Sequence, residues 1–349
     1  MGKNINRMRN FKRILVCILV IIFSFGISFL YYINRQLNNI VITPLTKDNS
    51  ELGIKSNVNE GDVNENKIFE REEKQDNSIL NIALFGVDSR NSKADVPHSD
   101  CIIIATIDNN HNKIKLSSIM RDTYVKVNGH GKTKITEAYF YGGPKLAIRT
   151  LNENFNLDIK DYATVDFKGL SKIIDNLGGI TANIKQYEIR EINKYIAELS
   201  ELQQVKYIPV YRSGSQNLNG IQAVAYCRIR QVGDGDFERT DRQRIILKEI
   251  FNKIRNIDIT RYPYLAAQFS SYIETSMSKS NIIALGSKII LNNILTVDQQ
   301  RFPVDGYCKG AIINKVWYLI PEPDLKALSK QINNYIYEDI KPIAKEPLF

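Results

Sequence analysis

Asn81-Ile-Ala-Leu-Phe-Gly-Val-Asp88-Ser-Arg90 is an apolar run that ends in charge. Leu80–Val87 has the branched and aromatic composition of a buried strand. Such a strand delivers Asp88 and Arg90 to its end. Asp100 follows Asp88 by twelve residues and directly precedes a second run, Cys101–Ile107. A third, Lys113–Ile119, leads into Arg121-Asp122. As neighbouring strands, these runs bring Asp88 and Asp100 to one sheet edge. Ligand sites of open α/β sheets lie at such edges. Two carboxylates suit a hard divalent cation such as magnesium. The same aspartates also suit turns in which they cap backbone amides.

Working outward, Tyr162–Asp166 and Gly179–Ile184 read as further strands. Pro144–Phe155, Phe167–Leu177, Glu188–Leu202 and Arg239–Ile254 read as helices between and after them. Pro144 is a good first helical residue. Gly178-Gly179 is a good stop. The stretch after residue 260 reads as two helices, two short strands (Gln300–Val304 and Ala311–Leu319) and a last helix over Pro321–Tyr337. Strands interleaved with helices predict an α/β fold.

A second basic cluster lies in this half: Arg228-Ile-Arg230, then Asp236-Phe-Glu-Arg239-Thr-Asp-Arg242-Gln243. Arg228 and Arg230, two apart on a strand, would share a face. Arg239, Arg242 and Gln243 are placed in the first turn of a helix. Cations there oppose the helix dipole, so that turn favours a bound anion. A solvated basic face and, for Arg121-Asp122, a plain ion pair are the alternatives.

Charge is unevenly spread over the 349 residues, whose formal net charge is +9. Residues 1–13 hold five cations and no acid. Ile14–Ile33 is uncharged and apolar, about the 20 residues that span a bilayer. The positive-inside rule puts 1–13 in the cytoplasm and the rest outside. An uncleaved transmembrane anchor is favoured over a signal peptide, because the apolar run is long and its cleavage signals are weak. Residues 34–78, polar and acidic, read as an extracellular stalk. The part from 79 onward keeps a basic surplus that favours anionic partners.

Other chemistries find no support. Four cysteines (Cys17, Cys101, Cys227, Cys308) and three histidines are scattered without zinc-site spacing. No nucleophile elbow, Walker loop or dinucleotide fingerprint occurs. The aromatic–basic interleaving typical of RNA-binding surfaces is missing, so nucleic acid is not an expected partner.

The ordered motifs Phe85-Gly-Val-Asp-Ser-Arg90, His98-Ser-Asp100, Ser118-Ile-Met-Arg-Asp122, Lys134-Ile-Thr-Glu-Ala-Tyr139, Gly142-Gly143, Val165-Asp-Phe167, Asn176-Leu-Gly-Gly179, Leu218-Asn-Gly220, Arg228-Ile-Arg230 and Asp236-Phe-Glu-Arg239-x-x-Arg-Gln243 together resemble the LytR–CpsA–Psr family. The resemblance is strong over 79–255 and continues through Pro303-Val-Asp-Gly306 and Trp317–Pro321. It implies an α-β-α sandwich around a mixed sheet, with 79–255 as catalytic core and 256–349 as the C-terminal part of the same domain. It implies a magnesium-dependent enzyme of the cell envelope. Such enzymes move a glycopolymer, teichoic acid or capsular polysaccharide, from an undecaprenyl-pyrophosphate carrier to peptidoglycan, with the polyprenyl tail in an apolar groove between sheet and helices.

By position, Asp88 and Asp100 match the magnesium-linked acids. Arg90, Arg121, Arg228, Arg230, Arg239 and Gln243 match the pyrophosphate-binding groups. Arg121, Asp122, Asp236 and Arg239 are the expected catalytic set. The chain departs from the family at His98, usually Arg, and Met120, usually Pro. Two other functions fit the same residues: a polyprenyl-pyrophosphate phosphatase, and a non-catalytic regulator of envelope assembly.

Overall fold

The computed structural model describes residues 35, 39–55, 78–88, 97–258, 261–292, 294 and 296–345. In chain order its strands are β1 (Val41–Ile42), β2 (Ile79–Val87), β3 (Ser99–Asp108), β4 (Lys113–Ile119), β5 (Tyr124–Val127), β6 (Gly131–Lys134), β7 (Asp161–Asp166), β8 (Ile180–Ile184), β9 (Gly214–Leu218), β10 (Glu274–Thr275), β11 (Thr296–Phe302), β12 (Cys308–Ile313) and β13 (Val316–Pro321). The helices are α1 (Glu137–Phe155), α2 (Phe167–Asn176), α3 (Ile189–Leu202), α4 (Gly220–Arg228), α5 (Asp236–Arg255), α6 (Tyr262–Ser270), α7 (Lys279–Leu291) and α8 (Leu325–Tyr337).

Seven strands form one mixed sheet in the order β1-β10-β7-β2-β3-β4-β11. β2 runs parallel to β7 and antiparallel to β3, and β4 runs antiparallel to β3 and parallel to β11. The period of two in β2 explains the layers. Ala83, Phe85 and Val87 pack in a core with Ala147, Ile148 and Leu151 of α1 and Ile332 and Tyr335 of α8. Ile82 and Leu84 face the other way, toward Leu247 and Phe251 of α5 and Ile282 and Leu285 of α7. Helices therefore cover both faces of a mixed sheet. A third core joins α2, α3, α4 and part of α5 to the β8–β9 hairpin.

Several element ends have a local cause. Asp166 caps α2 by accepting from the Gly169 N–H at 2.6 Å. Asn219 and Gln222 form a reciprocal capping box on α4. The helix expected to begin at Pro144 begins at Glu137, with a kink at Gly142-Gly143 ahead of Pro144. Gly143 sits at φ 62°, which a side chain would resist.

The structure corrects four other expectations. Residues 39–55 do not stand off as stalk: β1 pairs with β10, and Leu52 is fully buried in the main core, its carbonyl accepting from Asn152 Nδ2 at 2.8 Å. Ala311–Leu319 is not one strand but the middle of the β12–β13 hairpin, turned at Asn314 and Lys315, both at positive φ. The last helix starts at Leu325, capped by Asp324, rather than at Pro321. The strand after residue 295 is Thr296–Phe302, not Gln300–Val304. Residues 256–345 supply β10 and β11 to the central sheet, so they belong to the same body.

The expected anchor, 14–33, lies outside the described residues. Among the described residues no helix is long and apolar enough to cross a membrane. Cys101, Cys227 and Cys308 are free thiols, the last two buried.

Candidate active site

Asp100 owes its position to a β-bulge. The β2–β3 register pairs Gly86 with Cys101 and then Val87 with Ser99, skipping Asp100. Bulges of this type re-aim a side chain at a sheet end. Gly86 permits the close pairing, since a Cβ there would stand 2.8 Å from Cys101 Cβ. Asp100 thus lies inside β3, not ahead of it. Asp88, half-buried at the end of β2, shares this sheet edge.

Three acids and three arginines alternate around a closed ring at this edge. Asp100 takes Arg121 Nη1 on Oδ1 and Arg239 Nη2 at 3.0 Å on Oδ2. Arg239 Nη1 reaches Asp236 Oδ1 at 3.1 Å. Arg230 Nε lies 3.4 Å from the same Asp236 oxygen, and its Nη2 lies 3.5 Å from Asp122 Oδ2. Arg121 Nε, 3.8 Å from Asp122 Oδ1, closes the circle. Lys134 Nζ adds a fourth cation, 2.7 Å from Asp122 Oδ1.

Five different segments supply these groups, the first being β3 with Asp100. Arg121-Asp122 follows β4, and the Arg121 carbonyl accepts from Thr136 N–H. Lys134 ends β6. Arg230 comes from the loop after α4. Asp236 and Arg239 open α5, which starts three residues earlier than its apolar pattern predicts.

The ring's groups differ in exposure. Asp122 is wholly buried and Arg239 nearly so, whereas the Arg230 side chain is 43% exposed. Burial alone would lower the pKa of Arg239, but Asp100 and Asp236 more than offset that and hold it raised. Burial pushes the neighbouring Cys101 thiol up to about 12, so it is no nucleophile. Arg121 Nε is buried with no hydrogen-bond partner among the described residues, which leaves it a donor to offer.

Gln243 follows Arg239 by one helical turn and Leu247 and Phe251 follow in step, so the four share a ridge of α5. Arg239 meets Asp100 at one end of that ridge, and Leu247 and Phe251 pack on the sheet at the other. A charged edge therefore passes directly into an apolar face. Arg242, on a different face, is structural. It binds Glu188 at 2.8 Å and the Ile229 carbonyl at 2.9 Å, and so fixes the loop carrying Arg230.

Arg228 is not brought into the ring. Arg228 and Arg230 do not share a strand face, because α4 ends at Arg228 and Arg230 lies in the loop beyond. Arg228 pairs with Glu198 at 3.0 Å and lies over the rings of Phe167 and Tyr195. Arg90 lies outside the described residues. Lys134 appears in the sequence within a recognisable motif, but its charge alone assigned it no role.

Asp88 and Asp100 offer hard oxygen donors of the kind magnesium takes. Asp100 is engaged by two guanidiniums, yet each carboxylate oxygen carries two lone pairs and can serve a second partner. Asp88 also lines a cavity of about 390 Å³ with Asp166, Phe167 and Lys168. The donor set fits the ion. A different trio, Asp108, His111 and Asp339, clusters at the far end of β3 with ligand atoms within 4.8 Å of one another. There the Lys115 ammonium already stands 2.6 Å from Asp108 and 3.1 Å from Asp339.

Comparison with known proteins places nearly the whole chain among relatives. The LytR_cpsA_psr family profile matches residues 45–334. The polyisoprenyl-teichoic acid–peptidoglycan teichoic acid transferase TagU of Oceanobacillus iheyensis is 28% identical over 339 residues, 93% of each chain. The regulatory protein MsrR of Staphylococcus aureus is 30% identical over 210 residues, 59% of each. The fold matches that of YwtF (TagT) of Bacillus subtilis solved with octaprenyl pyrophosphate lipid, at a TM-score of 0.53 and 21% identity, covering 74% of this chain and 90% of that one. With the profile spanning most of its length, this chain belongs to the LytR–CpsA–Psr family.

Proposed function

We propose that the protein is a membrane-anchored, magnesium-assisted phosphotransferase. It takes a teichoic-acid- or capsule-like glycopolymer from an undecaprenyl-pyrophosphate carrier and joins it to peptidoglycan outside the cell. The carrying observation is the arginine–aspartate ring at one end of an α5 ridge whose other end, Leu247 and Phe251, packs on the apolar face of the sheet. A lipid pyrophosphate needs both parts: cations for the two phosphates and an apolar surface for the tail.

Arg121, Arg230 and Arg239 can turn donors from their aspartates to phosphate oxygens, for which guanidinium geometry is suited. Gln243 adds a neutral donor one turn along. Arg228, held by Glu198, joins only after leaving that partner. Asp122, enclosed by Lys134 and Arg230, orients arginines. Asp236 is less enclosed, so it is the better placed of the two to take a proton from the acceptor hydroxyl. The hydroxyl oxygen forms the new bond to the sugar-linked phosphorus. The bond from that phosphorus to the bridging oxygen breaks, and undecaprenyl phosphate leaves. Arg121 and Arg239 stabilise the charge gathering on the phosphoryl oxygens. Asp88 and Asp100 would hold magnesium, which supplies further charge neutralisation.

The test combines the full chain, a synthetic polyprenyl-pyrophosphate glycan, uncrosslinked peptidoglycan and magnesium. Mass spectrometry should find a glycan phosphate on muramic acid, absent with Arg239→Ala. Free glycan phosphate alone would make the protein a phosphatase. Binding without turnover would favour the regulator, the function printed in the name of MsrR.

A further inference from the structure

Beside the ring lies an aromatic surface that the reaction above does not use. Phe140 and Tyr141 are 42% and 43% exposed, while Ala138 and Tyr139 just before them are buried. Their outward rings meet two histidines. His98 stacks on Phe140, centroids 4.6 Å apart and planes 8° apart. His130 stacks on Tyr141 at 4.0 Å and 3°. Phe140 and Tyr141 meet edge to face at 5.6 Å. Four rings thus form a continuous, open shelf over the start of α1. The Gly142-Gly143 kink follows at once and fixes its end.

The shelf is continuous with the site. His98 lies two residues before Asp100. Thr136, at the start of α1, donates its hydroxyl to the Ser99 carbonyl at 2.9 Å. Lys134 of the ring is on the strand that begins beside His130, and exposed Lys132 lies between them. The shelf belongs to the α1 side of the sheet, whereas Leu247 and Phe251 pack on the opposite side.

Large aromatic rings left in water next to a site mark a binding surface. Pyranose rings suit them: their axial C–H groups seat on the electron-rich ring face while the hydroxyls stay solvated. We infer that His98, Phe140, Tyr141 and His130 form the subsite for the glycan strand of the peptidoglycan acceptor, which deepens the transferase reading and rests on it. An acceptor that is part of a mesh cannot thread into a closed pocket, and this shelf is open along its length. Lys132 beside it suits the carboxylates of stem peptides. The donor's lipid is assigned to the far side of the sheet, so the acceptor approaches from the shelf side.

Two measurements test this with the full chain. In co-sedimentation with peptidoglycan stripped of teichoic polymer, Phe140→Ala/Tyr141→Ala should weaken binding at least about tenfold, and Phe140→Trp should retain it. Arg239→Ala should sediment like the parent. In the transfer assay the double variant should raise the KM for acceptor fragments and leave the KM for donor unchanged. Parent-like sedimentation by the double variant overturns the proposal. So does a rise in donor KM alone, which would seat donor sugar on the shelf. If the parent shows no transfer, the transferase reading falls, while sedimentation still decides whether the shelf binds glycan.

Discussion

Strand β3 carries an ion network at each end, and the two are built differently. At its start, Asp100 belongs to the ring of Arg121, Arg239, Asp236, Arg230 and Asp122. At its end, Asp108 holds Lys115 and His111, and Asp339 holds Lys115 and Lys113. The far network uses lysine, a compact point charge, and its central pair Asp108–Lys115 is wholly buried. Lys115 also donates to the Ile336 carbonyl at 3.0 Å, which ties α8 to the sheet. The near network uses arginine, whose planar fork matches phosphate, and Arg230 is open to solvent. Both satisfy charge. Only the near one can exchange partners with an anion without exposing a buried core.

This difference sets the two largest expected effects. Lys115→Met leaves Asp108 buried without its main counter-charge and should cost ~3–5 kcal/mol of stability. Denaturant unfolding measures it, and the surviving folded fraction should keep its specific transfer rate. Arg121→Ala should do the reverse. Transfer falls ~10²–10³-fold, the range for removing one donor from a charge-stabilising site. Its thermal midpoint should change little beside that of Lys115→Met. If Arg121→Ala is the less stable variant, or Lys115→Met loses specific activity, the division between the two ends fails.

A smaller effect separates the ends by metal. Asp88→Asn should raise the magnesium needed for half-maximal transfer at least about tenfold, since few protein carboxylates hold this ion. Asp108→Asn, measured on folded protein, should leave that requirement alone. An unchanged magnesium titration for Asp88→Asn would remove it from the metal site.

The near end was readable because its residues sit at the ends of apolar runs. Asp88, Asp100 and Arg121 border apolar runs whose branched side chains mark them as buried. Ring closure was not readable. It depends on a bulge that skips Asp100 and on a loop fixed by Arg242, and neither has a periodic signature. Arg228 was misplaced because Arg-x-Arg spacing looks like a strand face when no helix end marks the break between them. Residues 39–55 looked like stalk because the apolar residues that dock them, Leu45, Leu52 and Ile54, follow neither a strand nor a helix period. β1 and β10, two residues each, are too short to show any period. The shelf was also hidden, since Phe140 and Tyr141 lie ahead of the helix predicted from Pro144, and only the true start at Glu137 turns them outward.

The smallest expected effect concerns acid. Burial raises the pKa of Asp108 and Asp339, but hydrogen bonds outweigh it, from Lys115 and His111 for the first and from Lys113 and Lys115 for the second. Both carboxyls end below their ordinary value of 3.8. A depressed folded pKa stabilises the protein above the unfolded value, and that contribution fades as pH falls through the folded one. Asp339→Asn removes one such carboxylate. It should therefore be less stable than the parent at pH near 7, and the gap should narrow once pH falls below 3.8. Urea unfolding of both proteins across that range measures the gap. A gap that stays constant would mean Asp339 acts through packing rather than charge, and the far network would then owe its strength to Asp108 and Lys115 alone.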